Sequence, residues 1–93
     1  MKILFFSANW CGQCKVVKPK FIDICKTYNF TNYEIIDADA ANNDLITDYN
    51  IRNLPTAIFI FDENNDKRSV LRVLGFDIPR EAELQIARYS KTN

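Results

Sequence analysis

Apolar and polar residues alternate along this chain in blocks whose spacing predicts strands and helices. Residues 3–6 are a continuous apolar run, which is typical of a strand covered on both faces. From residue 11 to about residue 28, apolar side chains return every three or four positions, which predicts a helix that Pro19 should kink. Residues 33–38 predict a second strand, and residues 44–49 predict a short helix.

The second half of the chain begins with the strongest strand signal, over residues 56–61, which are rich in β-branched and aromatic side chains. A polar turn over residues 62–67 joins it to a strand over residues 69–74, so the pair should be an antiparallel hairpin. Pro79 should begin the last helix, with Glu81 in its first turn and fraying over residues 91–93. The buried face of this helix is expected from Leu84, Ile86, Ala87 and Tyr89.

The order of these elements is β-α-β-α-β-β-α, which predicts an α/β fold in a single domain over residues 1–93. The first β-α-β unit should be a right-handed crossover between parallel strands, whereas the hairpin is antiparallel. We therefore expect a four-stranded mixed sheet flanked by helices. No linker, internal repeat or low-complexity segment divides the chain.

The composition is that of an ordinary globular protein, with 47% apolar and 26% charged residues. The absence of His excludes His-dependent nucleophiles and His metal ligands, and two distant glycines cannot form a glycine-rich phosphate loop. The formal net charge is zero and there is no long basic run, so nucleic-acid binding has little electrostatic support. No apolar run approaches the roughly 18 residues that a membrane span needs.

Candidate chemistry lies in Cys11 and Cys14, between the first predicted strand and the first predicted helix. A cysteine at a helix amino terminus meets free N–H groups and the positive end of the helix dipole, which favour the thiolate. The first thirty residues hold five lysines against one aspartate, so Lys15 and Lys18 can add to this field. A Cys-x-x-Cys pair at a strand-to-helix junction is a fairly specific redox signal.

Other roles for the three cysteines have weaker support. A zinc site within one chain normally needs four Cys or His ligands, which this chain lacks, although a cluster shared between two chains stays open. A structural disulfide across two residues would constrain little unfolded-state entropy. Cys25 is roughly 16 Å from Cys14 along a helix, so it cannot pair with Cys14 and should be an inert buried thiol. One close pair and no signal peptide favour a reducing cytoplasm.

The cysteine segment resembles the active-site signature of the thioredoxin family, since residues 10–15 read Trp-Cys-Gly-Gln-Cys-Lys. Three further features agree with the family. Pro19 matches the proline that kinks the first helix of the family's site. Residues 49–56 are similar to the segment that carries the family's cis-proline, and Gly75 matches the glycine that follows the family's last strand. The resemblance runs from about Lys2 to Tyr89 with the elements in the family's order.

The chain departs from the family's pattern in three respects: the residue between the cysteines, the two positions of the proton relay, and the first two elements. Gln13 stands where the family usually has proline. Thioredoxins usually keep a buried Asp and a Lys that help to move the proton of the second cysteine, and Phe5 and Ile35 stand at those positions. The usual first strand and helix are also missing, so we expect a minimal core like that of glutaredoxins.

The resemblance implies a protein disulfide oxidoreductase in which Cys11 is the nucleophile and Cys14 resolves the mixed disulfide. It also implies a cis Leu54–Pro55 bond that presents the Leu54 backbone to an extended substrate. The residues expected to bind substrate are Trp10, Gly12, Gln13, Leu54, Pro55, Leu74, Gly75 and Phe76. An exposed apolar rim would be formed by Trp10, Leu54, Leu74 and Phe76. For Leu74 and Phe76, burial in the core is an equally good interpretation of the sequence.

The function that follows from the resemblance is a general protein disulfide reductase, acting as a monomer without bound cofactor or metal. Its expected partners are disulfide-containing proteins, and a thioredoxin reductase or glutathione as electron donor. One alternative is a glutaredoxin-like, glutathione-dependent enzyme, which the short chain favours but Trp10 and the Gly12-Gln13 dipeptide disfavour. The other is a binding partner built on the thioredoxin scaffold, in which the cysteines are secondary.

Overall fold

The computed structural model describes residues 1–40, 44–61 and 70–92. The elements are, in chain order, β1 (Lys2–Ser7), α1 (Gly12–Thr27), β2 (Tyr33–Asp37), α2 (Asp44–Asp48), β3 (Thr56–Ile60), β4 (Val70–Leu74), a single 3₁₀ turn (Gly75–Asp77) and α3 (Ile78–Thr92). This order confirms the predicted α/β fold. The polar turn predicted over residues 62–67 lies outside the described residues. No helix in the described segments is long and apolar enough to cross a membrane.

The four-stranded sheet has the order β2-β1-β3-β4, so β1 and β3 lie in its middle. β1 pairs in parallel with β2, and α1 is the crossover that a parallel pair requires. β1 pairs antiparallel with β3, and β3 pairs antiparallel with β4. The sheet is therefore mixed, as predicted.

Apolar side chains cover both faces of β1. Ile3 and Phe5 point into the larger core, which α1 and α3 cover, whereas Leu4 and Phe6 point into a smaller core on the other face. This alternation follows from the two-residue period of a strand and explains why the sequence of β1 is a continuous apolar run. In the larger core the ring of Phe5 stacks on that of Phe21 from α1, with ring centroids 4.9 Å apart.

The predicted buried face of α3 is partly wrong. Leu84 is 45% exposed, while Ile86 is fully buried as expected. The helix begins at Ile78, one residue before Pro79, and among its residues up to Ser90 the buried ones are four positions apart: Ile78, Ala82 and Ile86. This four-residue spacing places Leu84 on the opposite side of the helix. Ala87 and Tyr89 are half-buried, and α3 continues to Thr92.

Two substitutions in α3 test this assignment. We expect Ile86→Ala to lower the free energy of unfolding by about 2–5 kcal/mol, because a fully buried side chain leaves a cavity. Leu84→Ala should change it by about 0.5 kcal/mol or less, because Leu84 is solvent-exposed. Urea unfolding of both variants and the parent protein measures these differences. A loss of similar size in both variants would contradict the observed orientation of α3.

Candidate active site

Strand pairing brings three segments of the chain together at one edge of the sheet. Phe6, near the carboxyl end of β1, lies opposite Thr56 at the start of β3. Thr56 in turn lies opposite Leu74 at the end of β4. The loop after β1, the segment before β3 and the turn after β4 therefore meet at this edge, and each carries predicted site residues.

Cys11 and Cys14 are paired as a disulfide at the amino terminus of α1, with their Cα atoms 5.2 Å apart. Cys11 is the N-cap residue: its backbone is extended, and its Sγ accepts a hydrogen bond from the Cys14 N–H at 3.2 Å. The Cys11 N–H donates to the Ala8 carbonyl oxygen at 3.2 Å, which closes the turn between β1 and α1. The sulfur of Cys11 thus occupies the place of a capping oxygen.

The electrostatic surroundings of the pair favour a thiolate on Cys11 once the disulfide is reduced. Cys11 caps a helix of 16 residues, and no acidic residue lies in the first turn of α1. The unpaired N–H groups and the dipole of such a helix terminus stabilise negative charge. A thiolate is the nucleophilic form of cysteine, so this geometry suits thiol–disulfide exchange.

The segment before β3 forms the second wall of the site. The Leu54–Pro55 peptide bond is cis, as the resemblance implied, and Pro55 is buried. The side chain of Leu54 packs against the cluster formed by Ala8, Cys11 and Cys14. Leu54 is therefore half-buried and not a freely exposed member of the apolar rim, which corrects that part of the prediction.

Three exposed apolar side chains lie on segments that meet at the site. Trp10 is 69% exposed, Phe76 is 61% exposed and Leu74 is 44% exposed. The alternative interpretation, that Leu74 and Phe76 are buried in the core, is thus wrong. Large apolar side chains that stay in water at the mouth of a site offer contact area to a partner protein.

The turn after β4 contacts the active-site helix through Gln13. Gly75 has a φ of +58°, and a Cβ built on it would lie 2.9 Å from Oε1 of Gln13. The Gly75 N–H donates to the Pro55 carbonyl oxygen at 3.0 Å, so this turn is also tied to the segment before β3. The resemblance placed Gly12, Gln13 and Gly75 near the site. It did not predict that Gln13 contacts Gly75. The only sign of this contact in the sequence is that Gln13 has a long amide side chain.

Comparison with known protein families agrees with this geometry. The family model for thioredoxin matches residues 1–73. This chain belongs to the thioredoxin family. Thioredoxin from Mycoplasmoides gallisepticum is 37% identical over 67 residues, which cover 71% of this chain and 66% of that protein. Thioredoxin-1 from Caenorhabditis elegans is 38% identical over 64 residues, which cover 69% of this chain and 53% of that protein.

The fold agrees with solved thioredoxins. The structure of thioredoxin 1 from Thermosipho africanus superposes with a TM-score of 0.72 at 29% identity, and the match covers 99% of this chain and 97% of that one. The structure of the Schistosoma mansoni thioredoxin pre-protein gives a TM-score of 0.73 at 30% identity, over 94% of this chain and 76% of that one. The chain nevertheless spans less than two thirds of the length of the two curated relatives described above.

The two positions where thioredoxins usually keep a buried acid and a lysine are apolar in the structure as well. Phe5 is fully buried and its ring stacks on Phe21, so an aromatic ring takes the place of the carboxylate. Ile35 is half-buried and packs against the same core. Asp37 and Asp39, the acids nearest in sequence, are exposed, and the Asp39 N–H donates to Oδ1 of Asp37 at 2.9 Å. A thioredoxin-type proton relay therefore has no counterpart at these positions.

Cys25 lies in the core and apart from the reactive pair. It is a free cysteine, buried on the inner face of α1 with Val17 and Phe21. Burial raises the pKa of Cys25 to about 12 because a thiolate would lose its hydration there. The thiol is thus protonated at neutral pH, and the low reactivity expected from the sequence agrees with this environment.

The two glycines of the site should respond differently to substitution. Gly75→Ala should lower the free energy of unfolding by about 1–2 kcal/mol, because a positive φ is unfavourable for any residue with a Cβ. Gly12→Ala should be neutral or stabilise by up to about 1 kcal/mol, since Gly12 is helical and no atom lies within 4 Å of a Cβ built there. Urea unfolding of the oxidised proteins measures both, and equal stabilities would contradict the assigned backbone at Gly75.

Proposed function

We propose that this protein is a thiol–disulfide oxidoreductase that acts as a general protein disulfide reductase. The observation that carries the proposal is the Cys11–Cys14 disulfide at the amino terminus of α1, with exposed apolar side chains on the loop before it (Trp10) and at the end of β4 and the turn after it (Leu74 and Phe76). Membership of the thioredoxin family supports the same chemistry. Exposed apolar side chains around a redox pair favour a protein substrate over a small polar one.

In the proposed cycle the Cys11 thiolate attacks one sulfur of a substrate disulfide. A mixed disulfide forms between Cys11 and the substrate, and the other substrate sulfur leaves as a thiolate and takes up a proton. Cys14 then loses its proton and attacks Sγ of Cys11. The Cys11–Cys14 disulfide forms, the bond from Cys11 to the substrate breaks, and the substrate leaves fully reduced with two electrons gained.

The oxidised protein must then be reduced to begin another cycle. A flavoprotein of the thioredoxin reductase class, or a thiol such as glutathione, would supply the two electrons. We place the cycle in the cytoplasm, where thiols are kept reduced. The protein itself needs no bound cofactor for thiol–disulfide exchange, because both electrons are carried by its own cysteines.

Insulin reduction by dithiothreitol tests the proposal. The parent protein should accelerate the precipitation of reduced insulin chains, and Cys11→Ser should return the rate to that of dithiothreitol alone, because the nucleophile is lost. Cys25→Ala is the matched cysteine control and should keep the activity, since Cys25 is buried away from the pair. Full activity in Cys11→Ser would overturn the proposal.

The same proteins distinguish the two alternative functions. Turnover of a small glutathione mixed disulfide, with no acceleration of insulin reduction, would indicate a glutaredoxin-like enzyme. Recovery of one partner protein by both the parent and the Cys11→Ser, Cys14→Ser double variant, without activity in either assay, would indicate a binding module.

Gln13 should set the reduction potential of the pair. Proline at this position restricts the backbone between the cysteines, and glutamine removes that restriction, which loosens the geometry of the reduced state. We therefore expect a potential above the roughly −270 mV of thioredoxin, and a lower value for Gln13→Pro. Equilibration with glutathione buffers measures both proteins. A parent potential well below that figure, or no decrease in Gln13→Pro, would contradict this role.

A further inference from the structure

A groove runs along α1 on the side where Cys14 lies, and it is separate from the rim around Cys11. Its volume is about 500 Å³ and it is open to solvent. Its lining includes Cys14 and the charged residues Lys15, Lys18, Asp23 and Lys26. Cys14 is the member of the redox pair that lines this groove, although it is only 3% exposed.

Helical spacing arranges the charged residues of the groove relative to Cys14. Lys18 is four residues after Cys14 in the same helix, a spacing that puts the two residues on one face, and both line the groove. Lys18 is half-buried, whereas Lys15 and Lys26 are exposed. The lining contains three lysines against the single acid Asp23, so its charge is positive. A positive charge beside a cysteine stabilises the thiolate.

The other elements around Cys14 supply apolar contacts. Ala8 from the β1–α1 loop, Ala38 after β2 and Leu54 before β3 pack against the cysteine pair. Within the described residues, few charged groups lie close in sequence to these apolar contacts. They are Asp37 and Asp39, on either side of Ala38, and Arg52, two residues before Leu54. The side chains of Asp37, Asp39 and Arg52 are all exposed. The position of the family's buried acid is filled by the ring of Phe5.

We propose that the Cys14 proton leaves to water in this groove, and that the ammonium group of Lys18 stabilises the thiolate that remains. The inference rests on the proposed function, because it concerns the step in which Cys14 resolves the mixed disulfide. In that step Cys14 gives its proton to water or a buffer base, its thiolate attacks Sγ of Cys11, and the Cys11–Cys14 bond forms. The bond from Cys11 to the substrate sulfur breaks, and the substrate leaves as a thiolate.

The resolving step can be observed separately with dithiodipyridine, an uncharged aromatic disulfide that releases coloured thiopyridone. Reaction of reduced protein with excess reagent should release two thiopyridones in two phases. The first phase is attack by Cys11 and depends on reagent concentration. The second is intramolecular attack by Cys14 and does not. Cys25 should not contribute, since its pKa of about 12 keeps it protonated. An uncharged reagent also avoids direct attraction to the lysines.

Three variants separate the charge of Lys18 from its packing. Lys18→Met removes the charge and keeps an unbranched side chain, and Lys18→Arg keeps the charge. Lys20→Met is the matched control, because Lys20 is exposed and lies two residues along α1, about 200° around the helix axis. Each protein is followed by rapid mixing between pH 5 and pH 10, after circular dichroism has verified its fold.

In Lys18→Met we expect the pH midpoint of the second phase to rise by about 0.5–1 unit, because the thiolate loses a neighbouring positive charge. At pH 7 the second phase should therefore slow by about three- to tenfold, and at high pH it should regain at least the parent rate. Lys18→Arg should remain within about twofold of the parent, and Lys20→Met should be unchanged. A merely structural role of Lys18 would change the rate without moving the midpoint.

The outcomes distinguish the inference from the proposed function. An unchanged midpoint in Lys18→Met, with two normal phases, overturns the role of Lys18 and leaves the reductase proposal intact. The same decision follows if Lys20→Met shifts the midpoint as much as Lys18→Met, because the effect is then one of overall charge. Absence of the first phase in the parent protein would instead overturn the reductase proposal itself.

Discussion

The pairing of β1, β3 and β4 in one register is the constraint on which the site depends. Thr56 lies opposite Phe6 on one side and opposite Leu74 on the other, so the ends of three strands coincide at one edge of the sheet. A shift of one residue in either pair would turn each side chain of the moved strand to the opposite face. It would also move Leu54–Pro55 or the turn at Gly75 away from the cysteines. The apolar side chains on both faces of β1 and β3 keep this register fixed.

Much of this arrangement could be predicted from the sequence, because its signals are local. The strand pattern of β1 and β3, the Cys-x-x-Cys pair at a strand-to-helix junction, and the hairpin order led to the correct fold. Contacts between distant segments could not be predicted in this way. Leu84 is as apolar as Ile86, and only the docking of α3 at Ile78 and Ala82 decides which of them is buried. The approach of Gln13 to Gly75 likewise depends on how α1 sits against the turn after β4.

Phe5 shows how one position can serve either packing or proton transfer. The strand that leads to the cysteines passes directly through the larger core, and a carboxylate there would need hydration or a partner. In this chain the position holds an aromatic ring that stacks on Phe21 and joins the sheet to α1. Phe5 thus adds to the packing of the larger core at the position where the family usually keeps an acid. In the proposed cycle the Cys14 proton therefore leaves through the groove along α1 and not through a buried acid at position 5.

The hydrogen bond from the Gly75 N–H to the Pro55 carbonyl oxygen joins the two ends of the β3–β4 hairpin that lie at the site. The chain between the strands leaves from Ile60 and returns at Val70, which are the ends remote from the cysteines. The geometry of this wall is therefore held locally, by one backbone hydrogen bond and the β3–β4 register, at the end of the hairpin that lies at the site.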